Sequence, residues 1–132
     1  MVTISKKTEY AIMLLLYLAD FEGQYISLTK ACEKLSVSYS FVSQLAAEMK
    51  KGKILLAREG RGGGYSLCKD WKEINLYQLI KILGENKTLV ECLCEGGSCG
   101  RESKCKLKKL WARLEKVFKD EIRGVKLGEI RI

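Results

Sequence analysis

A chain of 132 residues and 15.0 kDa is one domain, or one small domain with a helical appendage. Its hydrophobic fraction of 47% and charged fraction of 30% exclude a disordered polymer, while a net charge of +8 favours a polyanionic partner, nucleic acid first. There is no histidine, so any site must work with sulfur, carboxylate or backbone.

The positive charge is spread, with nine Lys or Arg against six acids in residues 1–67 and fifteen against ten in residues 68–132. Charge alone therefore names a partner class only weakly. Ser5 is a suitable N-cap for a helix from Lys6 to about Asp20, whose AIMLLLYLA centre is apolar almost all round and is expected to be buried against several neighbours. The run Tyr10 to Ala19 ends without a small-residue cleavage site and is shorter than the roughly 20 residues that cross a bilayer. Neither export nor membrane insertion is expected, which places the chain in the reducing cytoplasm, where stable disulfides are rare.

Ser27 can cap a second, short helix, Leu28 to Leu35, in which Cys32 is read as a small core residue. A turn at Ser36-Val37 leads to Ser38, the N-cap of a third helix from Tyr39 to about Lys50. Val42, Leu45, Ala46 and Met49 form its buried stripe, and Ser38, Tyr39, Ser40, Ser43 and Gln44 lie on the open face. Two short helices joined by a brief turn describe a helix-turn-helix, and hydroxyls and an amide on the second can bond base edges and phosphates. A merely solvated helix face has the same composition.

The next segment separates the two readings. Ile54 to Ala57 and Tyr65 to Leu67 read as short strands around REGRGGG. A glycine-rich tip carrying Arg58, Arg61 and Gly62 can lay its backbone along a phosphate chain or place an arginine in the minor groove. Directly behind a helix-turn-helix it reads as a wing. The fold class expected is mainly α with a small β-hairpin: a winged helix-turn-helix head over residues 1–84, a cysteine-rich loop over 85–105, and a dimerisation helix with its tail over 106–132.

Asn75 and Gln78 form a capping box that opens a helix from Leu76 to Leu83, ended by Gly84, with Trp71 as a packing anchor and Cys68 as a structural thiol. The stretch ECLCEGGSCGRESKC then gathers Cys92, Cys94, Cys99 and Cys105 around glycines. Thiolates select zinc, copper(I) or iron–sulfur clusters; a local disulfide or free thiols are the plainer alternatives. The longest helix follows, from about Lys104 to Arg123, with Leu107, Leu110, Trp111, Leu114, Val117, Phe118 and Ile122 in helical phase. Such a stripe exceeds what a small head needs, so a symmetric homodimer is expected. The lysines at 104, 106, 108 and 109 read as a solvated face, and the tail from Gly124 shows no chemistry.

TEYAIMLLLYLA, SVSYSFVSQL, GRGGGYSL and the late cysteines followed by LKKLW together resemble the winged-helix regulators of the IscR, NsrR and CymR type over nearly the whole chain. The cysteine loop is most similar to the cluster-binding branch. The resemblance implies a DNA-binding regulator, a repressor rather than an enzyme, acting on double-stranded DNA at a palindromic operator with half-sites about 34 Å or a multiple apart. It implies DNA contacts at Ser38, Tyr39, Ser40 and Gln44. In the wing, many relatives read RGRGGG where this chain has Glu59, which would repel phosphate, so either Arg58 or Arg61 carries the contact or the operator preference differs.

The resemblance also implies an iron–sulfur cluster, 2Fe–2S rather than 4Fe–4S, held by Cys99, Cys105 and one earlier cysteine. Cys92 is favoured over Cys94, because the preceding LVEC looks like the loop entry of clostridial-type members. A histidine of relatives falls here on Lys108, which cannot serve while protonated; Cys94 or Glu9 is left as fourth ligand. The implied target is cluster assembly, with nitric-oxide or redox sensing as the alternative. A structural zinc site is a rival, although C-x-C-x₄-C-x₅-C lacks the C-x₂-C spacing zinc prefers. A redox enzyme is weaker still, since no C-x-x-C occurs.

Overall fold

A computed structural model describes residues 4–85 and 106–130 of the chain. Helix α1 (Lys6–Ala19) opens where Ser5 Oγ accepts the Thr8 N–H at 3.1 Å. Ser27 caps α2 (Leu28–Leu35), which stops at Ser36 in the left-handed region, φ 55°. Ser38 at once caps α3 (Tyr39–Lys51), so a single tight turn separates the two helices. The local signals for all three starts are side chains that satisfy orphan N–H groups.

Strands β1 (Leu55–Arg58) and β2 (Gly64–Leu67) pair antiparallel, with Leu55 opposite Leu67 and Arg58 opposite Gly64. Beside β2, Ile26 and Tyr65 exchange both backbone hydrogen bonds, at 2.9 and 2.8 Å, so the segment before α2 joins the edge of the two-stranded hairpin through one isolated bridge. Gly64 makes this approach possible. A Cβ there would stand 2.2 Å from the Ile26 carbonyl oxygen, and its φ of +142° disfavours any other residue.

A single 3-10 turn (Trp71–Glu73) buries Trp71, and the capping box Asn75–Gln78 opens α4 (Leu76–Ile82). Gly84, with φ +71°, ends that helix as its position predicts. Helix α5 (Lys106–Arg123) packs against α4. The residues after it return to the head. Leu76 N–H donates to Val125 O at 2.8 Å, Leu127 N–H donates to Ile74 O at 2.7 Å, and Leu127 is buried. Lys126 Nζ sits 2.8 Å from Glu73 Oε2, which lowers the Glu73 pKa and raises that of Lys126. The tail thus has a structural role that its composition did not reveal.

One continuous core joins Ala11, Leu14, Leu15 and Leu18 of α1 to Ala31 of α2, Val42, Leu45 and Met49 of α3, Leu55 of β1, Leu79 of α4 and Trp71. Burial of α1 is narrower than its composition suggests. Met13 is exposed and Tyr10, Ile12, Leu16 and Tyr17 are half-buried, because α2, α3 and β2 cover the helix on one side.

Candidate nucleic-acid interface

Helix α3 is anchored by its buried face, Val42, Leu45, Ala46 and Met49, and by the edge-to-face pair Tyr10–Phe41 with ring centroids 5.7 Å apart. Its other face meets solvent. Tyr39 is 58% exposed, Ser38, Ser40 and Gln44 are exposed, and Ser43 is half-buried. Ser38 Oγ accepts the Phe41 N–H at 3.4 Å, so the hydroxyl is engaged as a cap and retains its own proton to donate. Ser40 and Gln44 are one turn apart on the same face. The arrangement offers donors and acceptors on a rigid helix at its N-terminal end, where backbone N–H groups favour phosphate oxygens.

A second, less exposed feature holds α3 in place. Lys7 Nζ lies 3.0 and 2.8 Å from the two oxygens of Glu48 on α3 and 2.9 Å from the Leu83 carbonyl at the end of α4. The two side chains are 24% and 29% exposed. One ammonium therefore ties α1, the α3 helix and the exit of α4 together. Lys7 falls in phase with Ala11, Leu14 and Leu18, which is the signal that could have marked it in the sequence.

In the hairpin tip, Gly60 and Gly62 take φ of +86° and +71°, and a Cβ on Gly63 would meet the Arg58 carbonyl at 2.3 Å. These glycines let the chain reverse within a few residues. Arg61 and Gly62 are exposed at the tip. Arg58 is exposed too, with its guanidinium carbon 4.3 Å above the centre of the Tyr25 ring. Tyr25 was not among the residues the sequence marked.

These observations describe a helix-turn-helix with a wing, and residues 4–131 match the pattern of Rrf2, described as iron-dependent transcriptional regulators. The chain belongs to the Rrf2 family. It is accordingly a DNA-binding transcriptional regulator and not an enzyme. The HTH-type transcriptional regulator IscR of Cronobacter sakazakii is 28% identical over 128 residues, spanning 96% of this chain and 78% of the relative. The oxidized form of Staphylococcus aureus CymR superposes with a TM-score of 0.72 at 27% identity, covering 96% of this chain and 94% of that one. T. potens IscR shares the fold with a TM-score of 0.73 at 20% identity, over 98% and 85% of the two chains.

Cys92, Cys94, Cys99 and Cys105 lie outside the described residues, as does Lys104. Glu9 is described: its side chain is 52% exposed on α1 and its carboxylate is 3.2 Å from Lys6 Nζ. Cys32 is half-buried against the core, as expected. Burial pushes the Cys68 thiol above its ordinary pKa, assisted by the charge of Asp70 and opposed by backbone hydrogen bonds, so it stays protonated at neutral pH. No group of three or more His, Cys, Asp or Glu able to hold a metal occurs among the described residues, and no described helix is long and apolar enough to cross a membrane.

Proposed function

We propose that this Rrf2 protein is a cytoplasmic homodimeric repressor whose binding to a palindromic operator is controlled by an iron–sulfur cluster, governing cluster assembly. The observation that carries the DNA-reading part is the exposed arc of Ser38, Tyr39, Ser40 and Gln44 on a helix whose remaining face is buried. Ser43 borders the arc, and Arg58, Arg61 and Gly62 supply the wing contact with the backbone of the duplex.

Dimerisation is supported by α5. Leu107, Leu110, Leu114 and Val117 are 54%, 43%, 44% and 55% exposed on one face of an 18-residue helix about 27 Å long. The half-exposed outer arc of α1 around Met13 is a second apolar surface for the partner to cover.

The donor chemistry suits a cluster: Cys92, Cys99 and Cys105 provide thiolates, and Glu9 has a carboxylate open to a second subunit, with Cys94 as the alternative. When bound, a 2Fe–2S cluster supplies metal–ligand bonds whose presence depends on redox state and iron supply. The chain's part is to present those ligands and to hold α3 in one orientation, which Lys7 does by joining it to α1, the helix that bears Glu9. Ligation of Glu9 across the dimer would bias one relative angle of the two heads.

The first test is the absorbance spectrum and the iron, sulfide and zinc content of protein purified without oxygen. A brown protein with near-stoichiometric iron and sulfide, whose operator affinity changes on cluster loss, is the expected result. Equal affinity with and without the cluster refutes the control. Zinc in a colourless protein makes the loop structural, and a metal-free protein that cannot be reconstituted leaves thiol oxidation or a partner protein as the signal and keeps only the DNA-binding half of the reading.

A further inference from the structure

Arg58 and Tyr25 come together through the strand register. Arg58 lies opposite Gly64, and the Ile26–Tyr65 bridge sets Ser66 opposite Tyr25, so all four residues share one face of the hairpin and the segment bridged to it. The core side of the hairpin is taken by Leu55 and Leu67, which are buried. On the other side the Arg58 guanidinium reaches the Tyr25 ring, its central carbon 4.3 Å from the ring centroid.

We infer that Tyr25 is a positioning residue for DNA binding: its ring holds the Arg58 guanidinium flat so that the in-plane N–H groups are presented to a backbone phosphate. The inference rests on the wing reading above. A stacked guanidinium keeps its in-plane donors free, because the ring occupies only a face of the ion. Two parallel N–H groups can then bind phosphate bidentately. Immobilising the side chain in advance removes part of the ordering cost of binding. Arg61, at the exposed tip, has no such stack among the described residues. Glu59 stands next to Arg58 and repels phosphate, so holding the neighbouring cation in a set place matters more here than in a wing rich in arginine.

The test uses the full-length dimer and a labelled mixed-sequence duplex of about 30 base pairs, with affinity measured across a salt series. Tyr25→Leu and Arg58→Gln are each expected to weaken binding about two- to fivefold per wing and to lower the log–log salt slope by up to about 0.9 per wing. Their double variant should be no weaker than Arg58→Gln alone. Tyr25→Phe, which keeps the π face, should match the parent, and Arg58→Lys, which loses the planar fork, should not. Should Tyr25→Leu melt early, Tyr25→Met replaces it.

Parent-like salt dependence in Tyr25→Leu beside a reduced one in Arg58→Gln overturns the positioning role. So does a Tyr25→Phe protein as weak as Tyr25→Leu. Arg61→Ala separates this failure from that of the wing reading. If Arg61→Ala lowers the slope and Arg58→Gln does not, the wing binds DNA without the stack; if neither does, the wing itself is not an interface.

Discussion

Helices α3 and α5 carry apolar stripes of the same period, and their fates differ. In α3 the stripe Val42, Leu45, Ala46 and Met49 is buried within the chain, whereas in α5 only Ile122 is buried and the leucines before it face outward. Both helices obey the same sequence rule. Periodicity shows that a face seeks burial, but not whether the covering surface belongs to the same chain. Position supplies the difference: α3 lies between α2, β1 and α4, while α5 meets α4 and leaves the rest of its stripe open.

Core truncation should produce the largest effect. Met49→Ala, in the closed stripe, is expected to destabilise the fold by about 2–5 kcal/mol, read by denaturant unfolding at any protein concentration. Leu114→Ala in the open stripe should act through the dimer equilibrium, lowering a midpoint that depends on protein concentration, and leave the monomer's own transition little changed. Equal losses in both variants would erase the distinction between the helices.

Gly64→Ala comes next, because the new Cβ collides with the Ile26 carbonyl and the backbone is strained: about 1–3 kcal/mol is expected, with loss of amide-exchange protection at Ile26 and Tyr65. Normal protection there would show that the Ile26–Tyr65 bridge is not held by the bare glycine. Lys7→Met should cost about 1–2 kcal/mol, less than a fully buried pair because both partners retain some solvent. It should also loosen amide protection in α3 more than in α2. Uniform loosening would deny Lys7 its selective hold on α3.

On α5, the paired change Leu110→Glu and Leu114→Glu should convert a dimer to a monomer with its head still folded, judged by sedimentation and circular dichroism. A dimer that survives both charges would assign the open stripe to something else. The smallest effect concerns the exposed pair Glu73–Lys126. Glu73 titrates below its ordinary value, so its contribution is present at neutral pH and fades as acid protonates it below the ordinary carboxylate range. Lys126 titrates above its ordinary value, so its contribution persists through neutral pH and fades only in strong base. Removing the pair with Lys126→Met should flatten the acid limb of tail docking, followed by exchange at Leu127.

Much of the head was legible because its signals are local. Ser5, Ser27, Ser38 and the Asn75–Gln78 box mark helix starts through bonds that span three residues. The wing was visible because a sharp reversal needs glycines. The Ile26–Tyr65 bridge and the return of Val125 and Leu127 were not, since backbone pairing between distant segments uses no distinctive side chain. Lys7 and Glu48, 41 positions apart, likewise look like ordinary surface charges until α1 and α3 are packed. Tyr25 reads as a boundary aromatic until the strand register delivers Arg58 to it. For the interface, residue types suggested the face of α3, and structure adds that the Ser38 hydroxyl is already committed to its cap.

The pairing of Asn75 with Lys126 joins the root of α4 to the far end of α5. Main-chain bonds from Leu76 to Val125 and from Leu127 to Ile74 make the fastening, so it asks for no particular side chain at any of the four positions. Substitutions along the exposed face of α5 can therefore accumulate while its far end stays tied to the head.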